Sequence, residues 1–280
     1  MGNVKLSAFA DEFADSFEEQ LRALQRFGIK NLEIRHLNGK NISVLTPDEV
    51  REAKKMLDDS GINVSAIGSP LGKIRLDGDI KTHMETARRI FESAKILDTR
   101  FVRIFSFYPP DGKNITEMRG EVLEALERLV VLARTYGVIL CHENEAKIYG
   151  DTPSREKELL DHFGGELKCV FDMGNFVLEG VDPYPEAYEL LKKDIAYFHI
   201  KDALFRGAIV PAGKGEAKIK EILSAHRAYA QEDFFVSLEP HLQTFAGLNA
   251  LVGRAFTNPY QYADQKAAFA DAVEKFKEMI

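Results

Sequence analysis

The stretch VILCHENE, residues 138–145, decides how this chain is read. Val138, Ile139 and Leu140 form an unbroken apolar run, which then breaks directly into His142, Glu143, Asn144 and Glu145 with no turn residue between. Strands buried on both faces read as such near-continuous apolar runs. Unpaired charge is among the costliest things a fold can bury. The polar group therefore lies on a surface or surrounds something bound.

Seven further segments have the same β-branched or aromatic character: VKLSAFA (4–10), NLEIRHL (31–37), NVSAIGS (63–69), FVRIFSF (101–107), LKCVFDMGN (167–175), IAYFHIKD (195–202) and FFVSLEPH (234–241). A helical pattern follows each one. In the first helix Phe17, Leu21, Leu24 and Phe27 recur at helical spacing, Ser16 and Glu19 make a capping box, and Gly28 ends it. Thr46, Pro47 and Glu49 open the second, Thr152 and Pro153 repeat the signal, and Phe269, Val273, Phe276 and Ile280 share a stripe in the last. Eight βα units of about 35 residues, without a polar linker, predict one (β/α)8 TIM barrel over residues 1–280 as a single domain. An open doubly wound sheet is the competing fold, but no G-x-G-x-x-G follows any strand. Residues 241–262, with Gly247, Gly253 and Pro259, lack a periodic signal and read as a lid loop.

Composition narrows the function. A net charge of −7 argues against a nucleic-acid surface, which needs concentrated Lys and Arg. No run approaches the ~20 apolar residues of a membrane span and no signal-like N-terminus is seen, so a cytoplasmic protein without a membrane partner is expected. The two cysteines, Cys141 and Cys169, sit in apolar runs and read as buried thiols.

Barrels of this kind carry their chemistry at the C-terminal ends of the strands. There the fifth strand offers Glu143, the sixth Asp172, the seventh His199 and the eighth Glu239. Period-two alternation tests whether they share the inner face. Tyr197, His199 and Lys201 fall on one face of strand seven, and Ser237, Glu239 and His241 on one face of strand eight. Strand five puts Glu143 and Glu145 on one face, His142 and Asn144 on the other. Three carboxylates and an imidazole at one point repel each other unless a divalent cation lies between them. The oxygen-rich set suits Mn²⁺, Mg²⁺ or Co²⁺, with Zn²⁺ also compatible.

The order Glu143 in HENE, Asp172 in FDMGN, His199 in FHIKD and Glu239 in SLEPH resembles the xylose isomerase-like TIM barrel superfamily of sugar and sugar-phosphate isomerases and epimerases. FHIKD followed by VPAGKGE (210–216) is the most specific piece. The resemblance implies a metal held by Glu143, Asp172, His199 and Glu239, most often Mn²⁺, with a carbohydrate substrate chelated to it. It also implies that Glu143 and Glu239 are catalytic, moving a proton beside a metal-bound carbonyl through an enediolate. Epimerases of this type commonly carry a histidine where this chain has Asn175, which suggests a hydrogen bond to a substrate hydroxyl instead. Arg206 stands near where such enzymes bring an arginine toward substrate. Lys73, Arg103, Glu145, Lys201 and His241 are the remaining substrate-binding candidates, with Glu33, Arg35 and Ser106 on the same polar rim. Homo-oligomers are common in the superfamily, and no helix face of this sequence selects one.

Plainer readings stand beside these. Asp172 could cap a turn before Gly174, and a lone buried histidine is more often a satisfied core residue than a ligand. Lys201 and Asp202 could pair with each other, and Lys214 in G-K-G fits turn chemistry better than a phosphate loop. His142 and Glu145 divide between support of the site and surface, while His36, His162 and His226 carry no assignment. The rival functions are a metal-dependent lyase or dehydratase of a keto-sugar, a DNA-repair endonuclease of a related barrel, and a non-catalytic sugar-binding barrel.

Overall fold

Eight parallel strands close on themselves. They are β1 (Val4–Ala8), β2 (Asn31–Ile34), β3 (Asn63–Ile67), β4 (Phe101–Ile104), β5 (Ile139–Glu143), β6 (Leu167–Asp172), β7 (Ile195–Ile200) and β8 (Phe234–Leu238). Each neighbours the next in sequence, and β8 closes the ring against β1 with Val4 opposite Phe234 and Ala8 opposite Leu238. The computed structural model describes residues 2–243 and 260–280. Gly247, Gly253 and Pro259 of the expected lid lie outside the described residues.

The helices follow the strands as their sequence signals require. They are α1 (Phe17–Arg26), α2 (Pro47–Ser60), α3 (Ile80–Ile96), α4 (Arg119–Tyr136), α5 (Pro153–Phe163), α6 (Met173–Leu178), α7 (Tyr188–Leu191), α8 (Ile219–Tyr229) and α9 (Gln265–Lys277). At α2 the capping box is complete: Thr46 Oγ1 accepts from Glu49 N, and the Glu49 carboxylate accepts from Thr46 N. Thr152 sits at the N-cap of α5 but its hydroxyl meets Ser154 Oγ and caps no backbone N–H, so only Pro153 of that pair acts as expected. Phe269, Val273 and Phe276 are buried, but Ile280 lies beyond the end of α9 and is 43% exposed. Among the described residues no helix is long and apolar enough to cross a membrane.

Alternation along the strands fills the barrel in layers. Ala66, Cys141, Val170 and Tyr197 form an inner apolar cluster, backed by Phe101, Ile139 and Phe235. The Tyr197 ring stacks on Phe235 with centroids 4.3 Å apart. The next inward positions toward the C-terminal rim are Glu143, Asp172 and His199. The opposite faces pack on the helices: His142 turns outward, fully buried, and its Nδ1 meets Glu156 of α5. His142 is thus not on the surface, and its pairing ties β5 to α5 behind Glu143. Both cysteines are buried and free.

Two loops after the strands are fixed from within. Asp202 accepts from the backbone N–H groups of Ala203, Gly213, Gly215 and Ala217, so it anchors the VPAGKGE segment and does not pair with Lys201. His83 Nε2 accepts from Gly72 N at 3.0 Å. Gly72 adopts φ +85°, and a Cβ there would lie 1.9 Å from the Phe105 carbonyl oxygen, so only glycine fits.

Burial pushes His83 and His226 down to about 4. An unfolded histidine titrates near ~6.5, so the unfolded chain binds more protons between those values and stability falls as pH drops from about 6.5 toward 4. Each residue is expected to remove about 2 kcal/mol of stability between pH 7 and pH 5. Urea denaturation at the two pH values, repeated with His226→Gln, should show a smaller acid loss in the variant.

Candidate metal centre

Glu143, Asp172, His199 and Glu239 meet at the C-terminal mouth of the barrel. One ligand-competent atom from each lies within 4.8 Å of all the others, and all four residues are buried. Register explains the convergence: Asp172 of β6 lies opposite His199 of β7, and Glu239 follows the last residue of β8 with its N–H bonded to Ile200 O. His199 Nδ1 stands 3.2 Å from Glu143 Oε1, 3.5 Å from Glu239 Oε2 and 3.9 Å from Asp172 Oδ2.

The surroundings orient each side chain. Glu33 is held between the Tyr197 hydroxyl, which donates to Oε1 at 2.9 Å, and His199 Nε2, 3.0 Å from Oε2. A carboxylate bonded to the far nitrogen of an imidazole is the usual support for a histidine that ligates through the other. Asp172 serves two ends at once. Its Oδ1 caps α6 by accepting from Asn175 N at 2.8 Å, and its Oδ2 faces the centre. The capping and centre-facing readings of Asp172 thus both hold. Asn175 Nδ2 donates to Glu143 Oε1 and Asn144 O, and its Oδ1 accepts from Lys201. Its amide therefore fixes Glu143, which leaves little of it for a substrate hydroxyl.

Three cations enter the same space. Arg103 Nη1 lies 3.1 Å from Glu143 Oε2 and 3.3 Å from Glu239 Oε1. Arg35 Nη1 donates to Glu239 Oε1 at 2.9 Å, and its Nε to Asp11 Oδ2 at 2.8 Å. Lys201 Nζ donates to Asp172 Oδ2 and Glu239 Oε2, both at 2.8 Å. Phe9 lies under both guanidinium groups, and Phe105 under that of Arg103.

These contacts set the charges. Burial raises the Glu143 carboxyl, but His199 and Arg103 outweigh it and hold the group down at about 2. Glu239, buried too, is carried well below the usual range by Lys201, His241 and His199. Asp172 goes the other way, to about 7, because burial and the neighbouring Glu143 and Glu239 exceed the pull of Lys201 and His199. Burial lowers His199, yet Glu33, Glu143 and Glu239 drive it well above an ordinary histidine. Glu12 is raised to about 8, chiefly by burial.

The donor set fits a divalent cation. His199 Nδ1 is buried without a hydrogen-bond partner and, with the three carboxylates, belongs to the same cluster. Six carboxylates line the mouth (Asp11, Glu12, Glu33, Glu143, Asp172 and Glu239), against the three permanent cations Arg35, Arg103 and Lys201. Protons on Glu12, on part of Asp172 and on His199 offset that excess, and a dication at the cluster would take their place.

The other expected site residues divide. Glu145 and Lys73 pair with each other at 2.9 Å, with the Lys73 ammonium over the Phe105 ring. His241 Nε2 lies 3.5 Å from Glu12 Oε1 and 3.7 Å from Glu239 Oε1. Ser106 accepts from Gly150 N and so holds the loop after β5. Arg206 is not brought to the cluster. Residues 202–203 and 209–210 pair as an antiparallel ribbon, and Arg206 is exposed at its tip, with φ +51° and its guanidinium against Gly180. Asp11 and Glu12 escaped the sequence reading. They lie in a short 3-10 turn after β1, where FADEF sets two acids between apolar residues, the same interruption that marks β5.

Comparison with known proteins agrees with this architecture. The sequence pattern of the xylose isomerase-like TIM barrel family matches residues 21–276, and the chain belongs to that family. A search of curated protein sequences returns no match. Solved structures with the same fold include IolI with a bound zinc atom (TM-score 0.76, 17% identity, 99% of this chain and 98% of that one). D-psicose 3-epimerase of Clostridium cellulolyticum H10 with D-tagatose matches at TM-score 0.73 and 15% identity, over 99% and 98% of the two chains. The probable 3-DHS dehydratase AsbF of Bacillus anthracis matches at 0.73 and 18%, over 99% of each.

Glu33→Gln keeps the shape of the side chain but removes the carboxylate that fixes the His199 ring. It is expected to weaken divalent-metal affinity by roughly 10–100-fold without unfolding the barrel. Isothermal titration with Mn²⁺, beside a circular dichroism melt, measures both.

Proposed function

We propose that the protein is a divalent-metal-dependent isomerase or epimerase of a small carbohydrate or carbohydrate phosphate, with Glu143 and Glu239 as the proton-transferring carboxylates. The observation that carries this reading is the meeting of two glutamates, an aspartate and a histidine from four successive strands, with ligand atoms within 4.8 Å of one another. Relatives of the same fold are an epimerase bound to a ketose and a protein bound to zinc, and a dehydratase stands among them.

Mn²⁺ is the best match to the oxygen-rich ligands, Mg²⁺, Co²⁺ and Zn²⁺ being compatible, and such an ion bound at Glu143, Asp172, His199 and Glu239 supplies electrophilic polarisation of a substrate carbonyl. The residues of the chain do the rest. Glu143 and Glu239 are both held ionised, so either can accept a proton from the carbon beside that carbonyl. Arg103 touches both carboxylates and so holds them relative to one another. Proton return from the opposite face gives epimerisation, and return to the neighbouring carbon gives aldose–ketose isomerisation. Glu145, Lys73 and His241 line the rim where substrate hydroxyls would be received.

Turnover of a panel of ketoses and keto-sugars in D₂O by the metal-replete protein tests the proposal. Deuterium is expected at an α-carbon of a product with otherwise unchanged composition. Loss of the elements of water would instead identify elimination from the same carbanion. Glu143→Gln and Glu239→Gln, assayed at saturating Mn²⁺, should each lower turnover by roughly 10²–10⁴-fold. Wild-type rates in both would overturn the assignment of the proton-transfer groups.

A further inference from the structure

We infer that Lys201 is an internal competitor for the divalent cation: its ammonium occupies the same two carboxylate oxygens that face His199 Nδ1, and metal uptake requires it to leave them. The inference rests on the metal centre proposed above and adds a regulating residue to it.

The geometry is specific. Lys201 Nζ lies 2.8 Å from Asp172 Oδ2 and 2.8 Å from Glu239 Oε2. Of the two carboxylates, these are the oxygens that face the imidazole, at 3.9 and 3.5 Å from Nδ1, with Glu143 Oε1 nearer still at 3.2 Å. The oxygens bonded elsewhere are the other pair, Asp172 Oδ1 on Asn175 N and Glu239 Oε1 on Arg35. An ammonium and a dication cannot share two oxygens at bonding distance, because like charges a few ångströms apart in a buried site repel strongly.

The fold also holds this side chain in place. Its side chain is 2% exposed, and its stem lies against Gly174, where a Cβ would come within 2.7 Å of Lys201 Cβ and Cγ. Glycine at 174 thus makes room for the stem. The ammonium has a third partner, Asn175 Oδ1 at 3.2 Å, which gives it a neutral acceptor when the carboxylates are taken. Asn175 accordingly serves both as support for Glu143 and as a resting point for Lys201.

The test compares Mn²⁺ binding to chelator-stripped wild type, Lys201→Met and Lys201→Arg by isothermal titration, with thermal melts of each protein before and after Mn²⁺ addition. Lys201→Met is expected to bind Mn²⁺ on the order of tenfold tighter or more than wild type, by removal of the nearby charge. Its stripped form should melt earlier and gain more from Mn²⁺, while Lys201→Arg shows no tightening. Lys201→Gln, which keeps a donor for Asp172, is measured in parallel in case the Met variant does not fold when stripped. Recovery of fold by either neutral variant on Mn²⁺ addition, with wild type folded throughout, also supports the inference. Equal or weaker Mn²⁺ binding in the folded neutral variants, with wild type binding normally, overturns it and leaves the metal centre intact. Absence of Mn²⁺ binding in wild type and in every variant overturns the metal centre and the inference together.

Discussion

The structure turns on one electrostatic constraint: six carboxylates gathered in the mouth of a barrel from which water is largely excluded. Left alone, such a group is destabilising by several kcal/mol per ion. Arg35 and Arg103 are the main answer. Each is almost wholly buried, and each touches Glu239 while reaching a second acid, Asp11 or Glu143. Their guanidinium groups lie over Phe9 and Phe105, which lets delocalised charge sit against aromatic surface. What these arginines leave uncompensated is the space in which the candidate ligands converge.

The barrel below serves that mouth. Tyr197 occupies the apolar layer with its ring and the polar layer with its hydroxyl, so the stack on Phe235 positions the bond to Glu33 and, through it, the His199 ring. His142 performs the matching task on the outside of β5. Its pairing with Glu156 fixes the strand against α5, directly behind Glu143. The candidate ligand cluster and the core packing therefore depend on the same alternation, and a register slip of one residue would turn the strand-borne members of that cluster out of the barrel.

Much of this was legible in the sequence, for a physical reason. A strand buried on both faces tolerates no polar residue without cause, so Glu143, Asp172, His199 and Glu239 stood out as interruptions, and alternation placed them on the inner face. The eight strands and the helices after them followed from the same periodicities. The misses have causes of the same kind. Asp11 and Glu12 lie in a turn, where acidic residues are ordinary; pairing of β1 with β2 brings them beside Arg35, and closure of β1 on β8 brings Glu12 beside His241. Arg206 follows β7 closely in sequence, but a ribbon of 202–203 with 209–210 carries it out to solvent. Lys201 and Asp202 are neighbours that alternation points apart, one into the charged centre and the other into the backbone of the next loop.

Closure of the ring has a kinetic consequence. Arg35 and Glu239 are 204 residues apart, and Arg103 and Glu239 are 136 apart. Until β8 is made, β1 has an open edge and Arg35 and Lys201 lack a shared carboxylate. Contacts of such long sequence separation form only after the entropy of closing the intervening chain has been overcome. During synthesis from the N-terminus, the first seven strands can gather locally, each against its own helix. Glu239 arrives with the last barrel strand, so sealing the sheet and joining Arg35, Arg103 and Lys201 through one shared carboxylate become a single late event.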